Sequence, residues 1–171
     1  MKLTNKITKN PPSSISKKQI FRIQFGNIQF YNWLVKIGLS SNKTFKLGEI
    51  LIPDKYFPDF IRGHLDGDGS IITYIDYYNT DKNPKYIYQR LMTYLISASR
   101  NHIFWLQDNI KRIKNLHGAI QVRKNPFRKN VHYVLKFSKK ESIILLKWIY
   151  YKKELPCLKR KYKIAKRFLK N

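Results

Sequence analysis

Two glycines and two aspartates, closely spaced in one stretch, constrain this chain more than any other feature. Ile61 and Leu65 are four residues apart and would share one face of a helix, and Gly63 and Gly67 share an adjacent face without side chains. Glycine inside a helix costs about 1 kcal/mol relative to alanine, so two at this spacing indicate that another backbone packs closely there. Residues 60–70 are therefore predicted to form a closely packed helix ending in a turn with two carboxylates.

The residues alone allow two other interpretations of this acidic turn. The turn also fits a plain helix end that leads into a hairpin. A calcium loop is a poorer fit, because a loop starting at Asp66 needs glycine at its sixth position and glutamate at its twelfth. This chain has Ile71 and Tyr77 there.

The charge of the chain indicates the kind of partner that it binds. Lysine and arginine number 35 against 10 aspartates and glutamates, a formal net charge of +25. This favours nucleic acid first and an anionic membrane surface second, because neutralised phosphates release counterions. No apolar run is long enough to span a bilayer, so we expect a soluble protein with no membrane partner. Its compartment stays open, with an organelle matrix and a bacterial cytoplasm as the two alternatives. The single cysteine, Cys157, excludes an internal disulfide and a multi-cysteine zinc site.

The placement of the acidic residues indicates a metal ion. Four of the ten, Asp54, Asp59, Asp66 and Asp68, lie within one short stretch, while bases are dense elsewhere. Carboxylates in a phosphate-binding surface repel the ligand unless they hold a cation. Asp66 and Asp68 therefore predict a hard divalent metal, and Mg²⁺ is the expected ion.

Residues 61–69, Ile-Arg-Gly-His-Leu-Asp-Gly-Asp-Gly, resemble the nine-residue motif of the LAGLIDADG homing endonucleases. The match keeps the helix glycine, both aspartates and the closing glycine. Gly67 stands for the motif's alanine, which is another small residue. Two positions depart from the motif, because Arg62 replaces a small residue and His64 replaces a large apolar one.

The pattern after the motif predicts an α+β fold. The order is helix, strand, strand, helix, strand, strand, helix, helix, which implies an antiparallel sheet with helices on one face and an open, basic face on the other. This order resembles one αββαββα unit of the LAGLIDADG fold. Residues 44–50 predict a weak strand, and the helix after Ser138 has a predicted apolar stripe of Ile144, Trp148 and Tyr151, with Leu145 beside it.

At 171 residues the chain is long enough for one domain with a core. We predict a flexible basic lead-in at residues 1–18. Residues 19–55 read as strand, helix and strand, and they resemble the closing part of a preceding repeat. Residues 56–171 then form the LAGLIDADG-type repeat.

The resemblance implies a site-specific DNA endonuclease that hydrolyses phosphodiester bonds with Mg²⁺, which lowers the pKa of water and shields phosphate charge. It implies that Asp68 is the metal ligand, with the carbonyl of Gly67 beside it, and that Asp66 is a structural cap at the helix end. It also implies a basic residue with a catalytic role near the end of the repeat. Lys161 matches that position best, and Lys159 is the second choice. A solvated lysine on a basic helix is the equally open alternative.

Sequence-specific contacts would fall on the open sheet face, because a two-stranded ribbon fits the major groove of DNA. Each candidate side chain is also compatible with a phosphate contact or with simple exposure. His102 and His117 have no partner spacing for a metal and are expected to be ordinary helix residues. The nucleic-acid-binding candidates are Arg90, Gln121, Arg123, Arg128, His132 and Lys136.

Cutting both strands of double-stranded DNA takes two acids, and this chain has one full motif. A homodimer through the motif helix, with Ile61, Gly63 and Gly67 at the interface, would supply Asp68 twice. The alternative is a chain shortened from a two-repeat enzyme, which binds DNA or folds intron RNA (maturase-like) without cutting. A plain basic RNA-binding protein with an accidental acidic turn is the third hypothesis.

Overall fold

The computed structural model describes residues 4–10, 19–125 and 128–169, without the side chains of residues 125 and 128–130. The chain divides into two compact units, one that ends at Lys36 and one that begins at Ile37. The second unit contains the motif and all of the predicted site residues.

The first unit contains a strand pair and a helix. Strand β1 (Ile7–Asn10) pairs antiparallel with β2 (Ile20–Ile23), and helix α1 spans Ile28–Lys36. The side chain of Asn27 accepts a hydrogen bond from the backbone N–H of Phe30 at 2.8 Å and so caps α1. Residues 7–10, expected in a flexible lead-in, are instead a paired strand, and residues 1–3 and 11–18 lie outside the described part. The origin of residues 19–55 as a repeat remnant stays a prediction.

The second unit follows the predicted order of elements. A short 3₁₀ turn (Asp54–Tyr56) leads into the motif helix, α2. The elements are α2 (Phe57–Asp68), β3 (Ser70–Asp76), β4 (Tyr88–Ser97), α3 (Arg100–Lys114), β5 (Ala119–Asn125), β6 (Arg128–Phe137), α4 (Lys139–Ile149) and α5 (Lys159–Leu169).

The four strands form one antiparallel sheet in the order β3-β4-β6-β5. Alternation along the strands sends Leu91, Leu95 and Leu135 to one face, where they share the core with Ile61 and Leu65 of α2. Helices α3, α4 and α5 contribute to the same core, so the helices cover one face of the sheet. The α+β class, the antiparallel sheet and its one-sided helical layer are confirmed.

Two local predictions are wrong. Residues 44–50 form a turn and irregular chain instead of a strand, because the carbonyl of Lys43 accepts the N–H groups of Lys46 and Leu47 at 3.0 and 2.8 Å. The apolar stripe of α4 is also shifted. Leu145 is buried, whereas Ile144 is 45% exposed, since the helix turns a different face to the sheet.

No helix in the described ranges combines the length and apolar character needed to cross a membrane.

Candidate metal and nucleic-acid site

The motif helix ends directly above the start of the sheet. Helix α2 stops at Asp68, and the N–H of Gly69 donates to the carbonyl of Leu65 at 3.1 Å before β3 begins. A Cβ on Gly69 would lie 2.6 Å from the carbonyl oxygen of Tyr94 and 2.8 Å from the Cα of Leu65. Only glycine fits this approach, and it places Asp68 at the junction of helix and sheet.

Lys161 closes the end of the motif helix from the opposite side. Its Nζ donates to the carbonyls of Leu65, Asp66 and Gly69 at 2.5, 2.9 and 2.6 Å, and the residue is 3% exposed. These three bonds use every N–H of the ammonium, at the helix end where the macrodipole is negative. Burial lowers the pKa of Lys161, and the charge of Arg160 lowers it further.

The ammonium of Lys161 is buried and occupied by three backbone carbonyls, so in this structure it holds the end of the motif helix, and its catalytic role stays a prediction. Lys159, the second choice, is exposed at the start of α5 and lines a different cavity, with Tyr150 and Cys157. Neither lysine lines the cavity that contains Asp68.

Asp66, expected to cap the end of its own helix, instead contacts the start of α5. Its Oδ2 accepts the backbone N–H of Leu158 at 2.8 Å, so it holds the start of α5 and not the end of its own helix. Burial and the Asp66 carboxylate raise the pKa of the nearby Tyr150 hydroxyl above its ordinary range.

Arg62, which departs from the motif, points into the protein. Its Nε donates to the carbonyl of Pro156 and its Nη1 to that of Ile149, both at 2.9 Å, and its Nη2 lies 2.5 Å from Asp59. The residue is 5% exposed, so it fastens α2 to the segment after α4. The substitution leaves the glycine face of the helix untouched.

His64, the second departure, acts as an aromatic residue. Its ring stacks on His102 with centroids 5.4 Å apart, and His102 stacks on Trp105 at 5.3 Å. Burial lowers the pKa of His64 to about 4, helped by the positive charge that His102 would carry. The neutral ring therefore fills the apolar role that the motif has at this position.

The glycine face of α2 is open in the single chain. Gly63 and Gly67 are exposed, and a Cβ on either would have nothing within 4 Å. Ile61, predicted at the same interface, is 0% exposed in the core of the single chain, and its place at an interface stays a prediction. The face that remains for a second backbone is formed by the two glycines.

Asp68 differs from the other acids of the stretch. Asp54 pairs with Arg112, Asp59 with Arg62, and Asp66 accepts the Leu158 N–H. Within residues 4–10, 19–125 and 128–169, the exposed Asp68 carboxylate has no hydrogen bond or ion pair. It lines a cavity of about 370 Å³ that also contains His132 and a residue missed by sequence reasoning, Lys43.

The open sheet face carries the predicted nucleic-acid-binding residues. Arg123 is the cross-strand partner of His132, and its guanidinium lies 5.3 Å from the ring centre of Tyr94. Arg90 is held at 2.7 Å by Asp76. The side chain of Arg128 lies outside the described part, and the register puts the remaining candidates on this same face: Gln121 opposite Val134 and Lys136 opposite Tyr94.

The donors that a magnesium ion would meet at the end of α2 are one free carboxylate and the neighbouring backbone carbonyls. The described part of the chain has no group of three or more His, Cys, Asp or Glu residues suited to a metal. Magnesium keeps several waters and binds through one or two carboxylates plus substrate phosphates. Asp68 would supply one such carboxylate. Lys161 contacts neither of the two carbonyls between Asp66 and Gly69, and that of Gly67 is one of them.

Comparison with known proteins found similar chains among solved structures. No family model matches the sequence, and no curated protein matches it either. The homing endonuclease I-TnaI has 15% sequence identity and a TM-score of 0.46, over 65% of this chain and 67% of that one. The neighbours are homing endonucleases.

Two further neighbours are complexes with DNA. I-CvuI, bound to the I-CreI target in the presence of Mg with the DNA not cleaved, has 14% identity and a TM-score of 0.46, over 67% of each chain. The archaeal intron-encoded I-Vdi141I has 15% identity and a TM-score of 0.40, over 58% of this chain and 57% of that one.

Replacing Lys161 by methionine should destabilise the fold. Three carbonyls lose their donor, so we expect the free energy of unfolding to fall by about 2–4 kcal/mol. Urea unfolding followed by tryptophan fluorescence measures the change. Arg160→Met, an exposed neighbour on α5, is the control and should leave stability unchanged. Equal stability of the two variants would show that the Lys161 ammonium is not needed by the fold.

The low pKa of His64 predicts a pH dependence of stability. The unfolded chain takes up the proton near pH 6.5 and the folded chain near pH 4, so the native state loses up to about 3 kcal/mol as the pH falls through that window. Urea midpoints measured between pH 7 and pH 4 should fall less steeply for His64→Phe. The exposed His117→Phe variant should keep the wild-type slope, and the same slope in His64→Phe would contradict the buried neutral ring.

Proposed function

We propose that this chain is a site-specific DNA endonuclease of the homing type that hydrolyses phosphodiester bonds with Mg²⁺. The observation that carries the proposal is the unpaired Asp68 carboxylate at the junction of the motif helix and the sheet. Every other acid of that stretch is engaged by a donor of the protein. The unpaired carboxylate at this junction supports a bound cation, because oxygen donors of this kind are the ligands of Mg²⁺.

The proposed roles divide among the residues of the site. Asp68 and the Gly67 carbonyl would hold the metal, which when bound lowers the pKa of water and shields the phosphate. Lys161 keeps these backbone groups in position through its three carbonyl contacts. The chain's own contribution is thus a fixed ligand geometry at the end of a helix.

Double-stranded DNA is the proposed partner of the open sheet face. Arg123 and Lys136 supply positive charge for phosphates, and Gln121 supplies an amide for base edges. The acids near this face are sparse, and Asp76 is neutralised by Arg90. The homing class implies a gene in an intron or another mobile element of an organelle or a bacterium, which we propose for this chain too.

Cutting both strands would require a second acid. The open face of Gly63 and Gly67 admits a second backbone, so we propose a homodimer that pairs two α2 helices and brings two Asp68 residues together. The second candidate function is a derivative that binds DNA or intron RNA without cutting. The single full motif per chain favours that alternative.

Replacing Asp68 by asparagine should abolish cleavage and leave DNA binding intact. The amide has nearly the same shape but removes the charge that holds the metal, and we expect the cleavage rate to fall by at least about 100-fold, the loss typical of one electrostatic group. A plasmid library with randomised inserts, cut in the presence of Mg²⁺, first supplies a cleavable site. Single-turnover cleavage and band shifts on that site then measure both effects.

Asp108→Asn is the matched control, because Asp108 is an exposed acid on α3 that does not line the Asp68 cavity. It should cleave at the wild-type rate. Equal cleavage rates for Asp68→Asn and the wild type would overturn the proposal. A wild type that binds DNA but does not cleave it with any added divalent metal would favour the non-cutting derivative.

Replacing Gly63 by leucine should block self-association without unfolding the chain. A Cβ at this position has nothing within 4 Å in the monomer, and a leucine side chain would hold a second helix away. Light scattering with DNA and Mg²⁺ should give a dimer for the wild type and a monomer for Gly63→Leu. Lys111→Leu, at an exposed position of α3, is the control for added surface leucine. A wild type that stays monomeric on DNA would contradict the homodimer.

A further inference from the structure

The cavity beside Asp68 is built from four separate parts of the second unit. It measures about 370 Å³, within the range of about 300–1,000 Å³ that is usual for ligand sites. The turn at residues 43–47 forms one wall, the end of α2 another, and the end of β4 and the middle of β6 form the rest. Its lining residues are Lys43, Thr44, Leu47, Asp68, Ile96, Ser97, Ala98 and His132.

The polar groups of this cavity suit a phosphate together with a cation. Lys43 supplies an ammonium and His132 an imidazole, both donors for phosphate oxygens. The hydroxyl of Ser97 accepts the backbone N–H of Ser99 at 3.0 Å, which leaves its own hydrogen for a ligand. Asp68 is the one carboxylate in the lining, and it would repel a phosphate unless a metal lay between them.

Lys43 reaches the cavity from a turn that the core holds in place. The carbonyl of Leu47 accepts a hydrogen bond from the Ser99 hydroxyl, and the carbonyl of Gly48 lies 3.0 Å from Nδ1 of His102. Ser99 and His102 are 2% and 1% exposed, so these contacts are shielded from water. The turn is therefore fixed to the start of α3.

The Lys43 side chain itself is available for a ligand. It is exposed, and across the described residues its ammonium has no hydrogen bond or ion pair. Lys161, by contrast, is buried with all three donors used. The segment before the motif thus contributes a lysine with a free ammonium to the lining of the cavity that contains Asp68.

We infer that Lys43 and His132 form a phosphate-binding subsite next to Asp68, in which the Lys43 ammonium contacts a non-bridging oxygen of the phosphodiester. The inference rests on the proposed nuclease function and gives it a catalytic cation. It also gives the segment 37–50 a part in the site, beyond that of a repeat remnant. His132 joins the subsite from the open sheet face and so links DNA binding to the reacting phosphate.

The first test measures phosphate contact without cleavage. In an Asp68→Asn background with EDTA, fluorescence anisotropy on a mixed-sequence duplex gives the DNA affinity as a function of salt. Adding Lys43→Met should lower the slope of log affinity against log salt by about one, the loss of one phosphate contact. Lys46→Met is the control, because Lys46 lies on the same turn but does not line the cavity. It should keep the slope.

The second test measures the reaction on the site selected by the wild type. Lys43→Met should slow single-turnover cleavage by at least about 100-fold, with partial recovery in Lys43→Arg, while Lys46→Met cleaves normally. Urea midpoints of all three should equal the wild type, because neither lysine side chain is buried.

The outcomes separate the subsite from the proposed function. Equal slopes and equal cleavage rates for Lys43→Met and Lys46→Met overturn the subsite, while cleavage by the wild type still supports the nuclease. If the wild type cleaves nothing, the nuclease proposal fails. The lower slope of Lys43→Met would then still support phosphate binding in the cavity.

Discussion

The contact on which the site depends is the buried ammonium of Lys161 at the end of the motif helix. Taking a lysine out of water is costly, and here three backbone carbonyls and the negative end of the helix dipole offset that cost. The contact is reciprocal, because Asp66 of the motif accepts the N–H of Leu158 at the start of α5. Helices α2 and α5 thus fix each other's ends, and the position of Asp68 follows from that arrangement.

The electrostatics of the site follow from which acids are neutralised. Asp54 and Asp59 pair with arginines and Asp66 with a backbone donor, so their charges are compensated within the fold. Asp68 alone in that stretch is left facing a cavity, within the part of the chain that the structure describes. Under the proposed function, this carboxylate is the place where a cation and a phosphate would meet.

Periodicity predicted the motif helix, the order of the elements and the open sheet face, because each depends on neighbours along the chain. The positions of Arg123, His132 and Lys136 on one face follow from simple alternation. Contacts between distant residues could not be read this way. Lys161 reaches Leu65 across 96 residues, and nothing in a run of lysines tells the buried one from the solvated ones.

The errors near the site have the same cause. Residues 44–50 alternate like a weak strand, yet hydrogen bonds to Ser99 and His102 hold them as an irregular wall of the cavity. His102 was expected to be an ordinary helix residue, and its stacking on His64 depends on two helices meeting. Such tertiary contacts decide the role of a side chain after the local pattern has decided its secondary structure.

The central claim is that Asp68 holds a divalent cation at this cavity. Titrating the ¹⁵N-labelled protein with Mn²⁺ tests it directly, because the paramagnetic ion broadens the amide signals of nearby residues. The account predicts selective broadening at residues 67–69 and at the cavity wall near Ala98, lost in Asp68→Asn and kept in Asp108→Asn. Broadening that is the same in Asp68→Asn and the wild type, or centred elsewhere on the chain, would contradict it.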